Sequence, residues 1–199
     1  DWLQKYQAQV ITVYSQINFS LLVEDALKTN KIDESLHELR SQMENELSEL
    51  ADIVRLPLSK HLRSGIVSLI TLEVHSRDIV SELISSHCTG VNDFEWIKRL
   101  RYYWDVEANR VKICQANATI MYGYEYLGAT SRLVVTPLTE RCYLTLTSAL
   151  QFFLGGSPAG PAGTGKTETV KDLAKAVGNF CVVFNCSDAV TVIQMESFF

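Results

Sequence analysis

Residues 160–167 read GPAGTGKT, which satisfies the phosphate-loop pattern GxxxxGK[ST]. The chemistry behind that spacing is specific. Gly160, Gly163 and Gly165 let the backbone curl with its amides inward, through conformations that a Cβ opposes. Pro161, Ala162 and Thr164 fill the turn between them. Those amides, with the start of a following helix near Lys166, make a concave site for a β-phosphate. Lys166 is placed to bridge β- and γ-oxygens, and the Thr167 hydroxyl to ligate a Mg²⁺ ion on the same phosphates. Lys166 and Thr167 are thus the candidate catalytic pair, with Thr167 the metal ligand. Glu168 completes the loop's contact set, and Thr169 carries a second hydroxyl within reach of an α-phosphate. At average residue usage such a match arises by chance about once in a hundred chains of this length.

Other chemistry-bearing residues form no such group. Cys88, Cys114, Cys142, Cys181 and Cys186 are scattered, with no CxxC and no histidine at zinc spacing, which suits reduced thiols. His37, His61, His75 and His87 are isolated from one another. The aromatic group Phe94, Trp96, Tyr102, Tyr103 and Trp104 reads as a packing surface. Glu140 and Arg141 have catalytic side chains, but nothing in the sequence places them.

The elements that must hold the loop follow from apolar spacing. Steps of three and four (Trp2, Tyr6, Val10, Val13, Ile17, Leu21) mark a helix over 1–28. Leu36, Leu39, Met43, Leu47, Leu50 and Val54 mark a second over 33–56, limited by Pro57. Leu62, Ile66, Leu69, Val80 and Leu83 mark a third over 59–86. Asn92 and Glu95 read as a capping box opening an aromatic helix, FEWIKRLRYYW. The period then drops to two, predicting a hairpin across 109–126 that turns near Ala116–Ala118. A short β run ends at Pro137, and a helix covers 138–152. After the glycine-rich loop, TETVKDLAKAVG is a helix with Val170, Leu173, Ala174 and Val177 on one face and Gly178 as its stop. FCVVFN has the length and composition of a buried parallel strand. One such unit cannot close a sheet, so the chain reads as a piece of something larger.

Composition sets the outer limits. The 199 residues are 47% hydrophobic and 21% charged, an ordinary globular balance. The net charge of −5 sits in residues 1–55, which hold 10 acids and 5 bases. No basic excess suggests nucleic acid, and no apolar run nears the roughly 18 residues that span a membrane. The first residues carry no secretory pattern.

The stretch YGYEYLGATSRLVVTPLTERCYLTLTSAL, continuing through GGSPAGPAGTGKTETVKDLAKAVGNFCVVFNCSD, closely resembles dynein heavy chains where the linker enters the first AAA+ module. FEWIKRLRYYWD resembles the end of that linker, and TGKTET with KDLAKA is more like the axonemal than the cytoplasmic members. The resemblance implies an α+β fold. Residues 1–107 would be a helical linker segment and 108–136 a β-hairpin and connection. Residues 137–199 would be the N-terminal part of an α/β P-loop AAA+ domain. It implies that Gly160 to Thr167 form the main ATPase site. Leu133 to Thr139 would then be the loop that packs on adenine, through Val134, Val135 and Pro137. After Asp188 the chain departs from the family, reading AVTVIQMESFF.

The implied function is ATP·Mg²⁺ binding, with ADP as product, coupled to linker movement in an axonemal, cytoskeletal motor of the cytoplasm and cilium. Partners would be microtubules (through parts of the chain not in this sequence), intermediate and light chains, and further AAA+ modules. Nucleic acid and membranes are not expected. The rival reading is a helical interaction module whose P-loop holds nucleotide without turnover.

Overall fold

The computed structural model describes residues 5–128, 131–187 and 190–196. Three long helices come first: α1 (Ala8–Leu27), α2 (Ile32–Arg55) and α3 (Lys60–Ser85). Each packs on the other two. The breaks follow the chain chemistry. The residue before Pro57 is extended, which ends α2 at Arg55. Ser59 then caps α3 by accepting from the Leu62 amide at 3.3 Å. Leu36, Leu39 and Met43 of α2 meet Ile79, Val80 and Leu83 of α3 and Phe19, Val23 and Leu27 of α1 in one core. Trp96, fully buried, closes it edge-on to Phe19, with ring centroids 6.1 Å apart.

In α1 the buried stripe differs from the expected one. Tyr6, Val10 and Leu21 are about half exposed, whereas Ile11, Phe19, Val23, Ala26 and Leu27 are buried. The helix is apolar on two sides, one for the bundle and one for the sheet, so a single stripe at helical spacing does not describe it. Trp2, assigned to the same stripe, lies outside the described residues.

The aromatic segment also differs from expectation. Only α4 (Phe94–Ile97) is helical. Its cap is Asp93, not Asn92 with Glu95. One Asp93 oxygen accepts from the Glu95 amide at 3.0 Å, and the other from the Thr89 amide and hydroxyl, each at 2.9 Å. Residues Arg101–Asp105 form strand β1. Tyr102 is buried and Trp104 half exposed, and aromatic residues suit that pleated, one-sided surface. β1 pairs antiparallel with β2 (Arg110–Gln115), which pairs with β3 (Ala118–Met121), so the expected hairpin is part of a three-stranded sheet. Its turn falls at Ala116–Asn117, with Ala116 at φ +47°.

The second expected strand is shorter than predicted. Beyond Met121 the chain leaves the sheet and docks on the far end of a later helix. Gly123 and Glu125 amides donate to the Val177 and Gly178 carbonyls, both at 2.9 Å. The remaining helices are α5 (Pro137–Gln151), α6 (Lys166–Ala176) and the five-residue α7 (Val192–Glu196). Residues 131–136, the expected short β run, and FCVVFN at 180–185 have no strand pairing. Phe180, Val182 and Val183 are exposed, because a buried parallel strand exists only between neighbours and no other parallel strand occurs among the described residues. A second core joins Tyr102, Val111, Ile113 and Tyr122 of the sheet side to Tyr143 of α5 and Leu173 and Val177 of α6. The result is a mixed α+β architecture in which sheet and bundle together hold the P-loop helix. No helix among the described residues is long and apolar enough to cross a membrane.

Candidate phosphate site

The glycine-rich loop sits at the exposed N-terminus of α6. Gly163 and Gly165 adopt φ +77° and +82°, a left-handed backbone that favours glycine. Open space surrounds both, so backbone conformation and not crowding calls for glycine there. Gly165 is also the N-cap and offers no side chain to the helix. The first amides of α6 therefore face outward, beside the positive end of the helix dipole.

Lys166 folds over the loop. Its ammonium donates to the carbonyls of Gly160 at 2.8 Å and Pro161 at 2.5 Å, with the Thr164 hydroxyl at 3.4 Å. The charge thus stands at the mouth of the curl, held by acceptors that phosphate oxygens can replace. Thr164 also donates to Pro161 across the turn at 2.9 Å. Ala162 and Thr167 are exposed beside it. Glu168 pairs along the helix with Lys171 at 2.7 Å. Thr169 donates its hydroxyl to the Gly165 carbonyl at 3.0 Å, so that proton is already engaged. That is the ordinary i−4 bond of a helical threonine.

The adenine-loop candidates lie before α5. Val134 is 78% exposed, whereas Val135 packs on the second core. Pro137 occupies the first turn of α5, where its missing N–H costs nothing, and the Thr136 side chain caps that helix. What fastens this loop was not foreseen. Asp172, 1% exposed on α6, takes a two-pronged ion pair from Arg132, with both bonds at 3.1 Å. It also accepts from the Leu133 amide at 3.0 Å and the Tyr143 hydroxyl at 2.8 Å. Burial raises the carboxyl's pKa. The Arg132 charge and these hydrogen bonds outweigh it and hold the group below its usual range. Burial, and then the adjacent carboxylate, push the Tyr143 phenol upward. No signal in the sequence pointed to it: Asp172 lies away from Val170 and Ala174 on the helix, and it is buried with Leu173 and Ala176 because the helix turns that side inward.

Glu140 likewise has a place. With Glu82 of α3 it flanks the guanidinium of Arg99, which is 2% exposed, and Arg99 Nε donates to the Glu95 carbonyl at 3.2 Å. His75 of α3 lies 3.9 Å from Glu140. Burial, then Arg99 and Arg132, lower its pKa to about 4. Glu140 is therefore a structural anchor between the bundle and α5.

Residues 122–199 match the family model described as the hydrolytic ATP binding site of dynein motor region. The whole chain is 49% identical to rat dynein axonemal heavy chain 1 and 44% identical to human dynein axonemal heavy chain 12. Over 95% of its length it is 45% identical to the dynein-1-beta heavy chain of the flagellar inner arm I1 complex of Chlamydomonas reinhardtii. The chain spans 4%, 6% and 4% of those relatives.

Proposed function

The chain belongs to the axonemal dynein heavy-chain family, in the region where the linker meets the first AAA+ module, and on that premise we propose that it binds ATP·Mg²⁺ and couples nucleotide state to linker movement. The observation that carries the reading is the loop geometry: left-handed Gly163 and Gly165, outward amides at the start of α6, and the Lys166 ammonium over the curl. Gly160 to Thr167 take the β- and γ-phosphates, Lys166 bridges them, and Glu168 borders the site. The exposed Thr167 hydroxyl suits a hard cation such as Mg²⁺, which when bound neutralises phosphate charge. Val134, Val135 and Pro137 cover the adenine. Thr169 is left out of this set.

In the complete heavy chain, the segment serves an ATPase of the ciliary or flagellar axoneme. Microtubules, intermediate and light chains, and the other AAA+ modules are its partners there. Residues 1–107 act as linker, 108–136 as connection and 137–199 as the start of the ATPase module. These divisions are functional, since the second core packs α1, the sheet, α5 and α6 together.

The deciding experiment is Lys166→Ala in the full-length heavy chain. ATP affinity measured by isothermal titration is expected to fall at least a hundredfold, with unchanged helical circular dichroism. Unchanged affinity would remove the site assignment.

A further inference from the structure

The exposed Val134 has no packing of its own to fix its direction; its backbone must do so. That backbone is tied to α6 at both ends of the loop. At the start, Arg132 grips both oxygens of Asp172 and the Leu133 amide donates to one of them. Past the loop, Tyr143 of α5 donates to the other oxygen. One buried carboxylate, on the helix whose N-terminus carries the phosphate loop, thereby sets the distance between phosphate amides and base-covering residues. We propose that Asp172, with Arg132 and Tyr143, is a positioning residue for base recognition: it holds the loop so that Val134 lies over the adenine ring. This rests on the adenine-loop reading above.

The proposal separates base from phosphate. Asp172 touches no phosphate position and sits at the middle of α6, so its loss should weaken binding of the base alone. The test is Asp172→Asn in the full-length heavy chain, which keeps side-chain shape and loses the charge. Affinities for ATP, GTP and inorganic tripolyphosphate are measured beside kcat and KM. ATP affinity is expected to fall about tenfold, the loss of one charge-assisted contact set. KM should rise in step and kcat should stay within about twofold, the pattern of lost uniform binding. Tripolyphosphate affinity should not change, and the preference for ATP over GTP should shrink about tenfold. Equal losses for ATP and tripolyphosphate would overturn the proposal, since they mean that Asp172 only keeps α6 folded. Tyr143→Phe, which removes one bond and leaves the ion pair, covers the case in which Asp172→Asn does not fold. Its expected effect is a two- to threefold rise in KM for ATP, and an unchanged KM overturns the proposal. If the wild type binds ATP no more tightly than tripolyphosphate, the adenine-loop reading itself fails, whatever the Lys166→Ala result.

Discussion

At the scale of single residues, the loop was readable because its chemistry is local. Glycines at fixed offsets imply the left-handed backbone that Gly163 and Gly165 adopt, and the lysine and threonine beside them carry the phosphate proposal. Thr167→Ala should lower the dependence of ATP affinity on Mg²⁺ while Lys166 still binds phosphate; an unaltered Mg²⁺ titration would remove Thr167 as the ligand. Asp172, Arg99 and Glu140 were not readable, because their partners lie far along the chain. Burial makes such residues consequential. Burial and the charges of Arg99 and Arg132 act on His75 against those of Asp78 and Glu82, with Glu140 3.9 Å away, and its folded pKa of about 4 lies below the free value of 6.5. A lowered folded pKa means that the unfolded chain takes up the proton first. The stability from neutral His75 is complete above pH 6.5 and is lost as pH falls toward 4, by at most about 3 kcal/mol. Urea melts of His75→Gln between pH 7 and 4 should show a shallower pH slope than those of the wild type.

At the scale of elements, period and punctuation located α2, α3, α5 and α6 to within a few residues, and the end but not the start of α1, which was expected from residue 1 and begins at Ala8. They failed for β1, where an aromatic run suits strand or helix and contact with α1 decides. The Tyr102 amide donates to Ser20 Oγ at 2.9 Å, and the Tyr103 hydroxyl to Glu24 at 2.5 Å. They failed again at FCVVFN, whose apolar run specifies burial but cannot supply neighbours. The docking of residues 122–126 on the end of α6 depends on Gly123 and Gly178; a Cβ on Gly123 would stand 2.7 Å from the Gly178 carbonyl. A Cβ on Gly178 would stand 2.4 Å from the Tyr122 ring, and φ there is +73°. Gly178→Ala should cost roughly 2–4 kcal/mol, from overpacking plus left-handed strain. Gly163→Ala meets open space and should cost only the strain, about 1–2 kcal/mol. Denaturant midpoints of the two variants side by side test the difference.

At the scale of the molecule, the proposed site has groups to hold phosphate but, among the described residues, none placed to activate water. Among the described residues, Glu168 pairs with Lys171 and Asp172 is locked to Arg132, so neither is placed to orient an attacking water. A missing arginine finger alone costs about 10³–10⁵ in rate. The 199-residue chain assayed for phosphate release should therefore match its Lys166→Ala form; many turnovers per chain, lost in the variant, would contradict this. Fold class was legible because the apolar period changes from three-to-four to two along the chain and because the stretch around the loop resembles a known family, whereas the two-core division was not, since it depends on which side of α1 meets which partner. That division orders events as the chain is made. The first core needs nothing beyond Trp96, whereas the second waits for Leu173 and Val177. At about 5–20 residues per second, synthesis leaves roughly 4–16 s between them. Throughout that interval the bundle is complete but Tyr102, Val111, Ile113 and Tyr122 still lack Leu173 and Val177, so a newborn chain offers this apolar face to any wrong partner before the loop at the start of α6 exists.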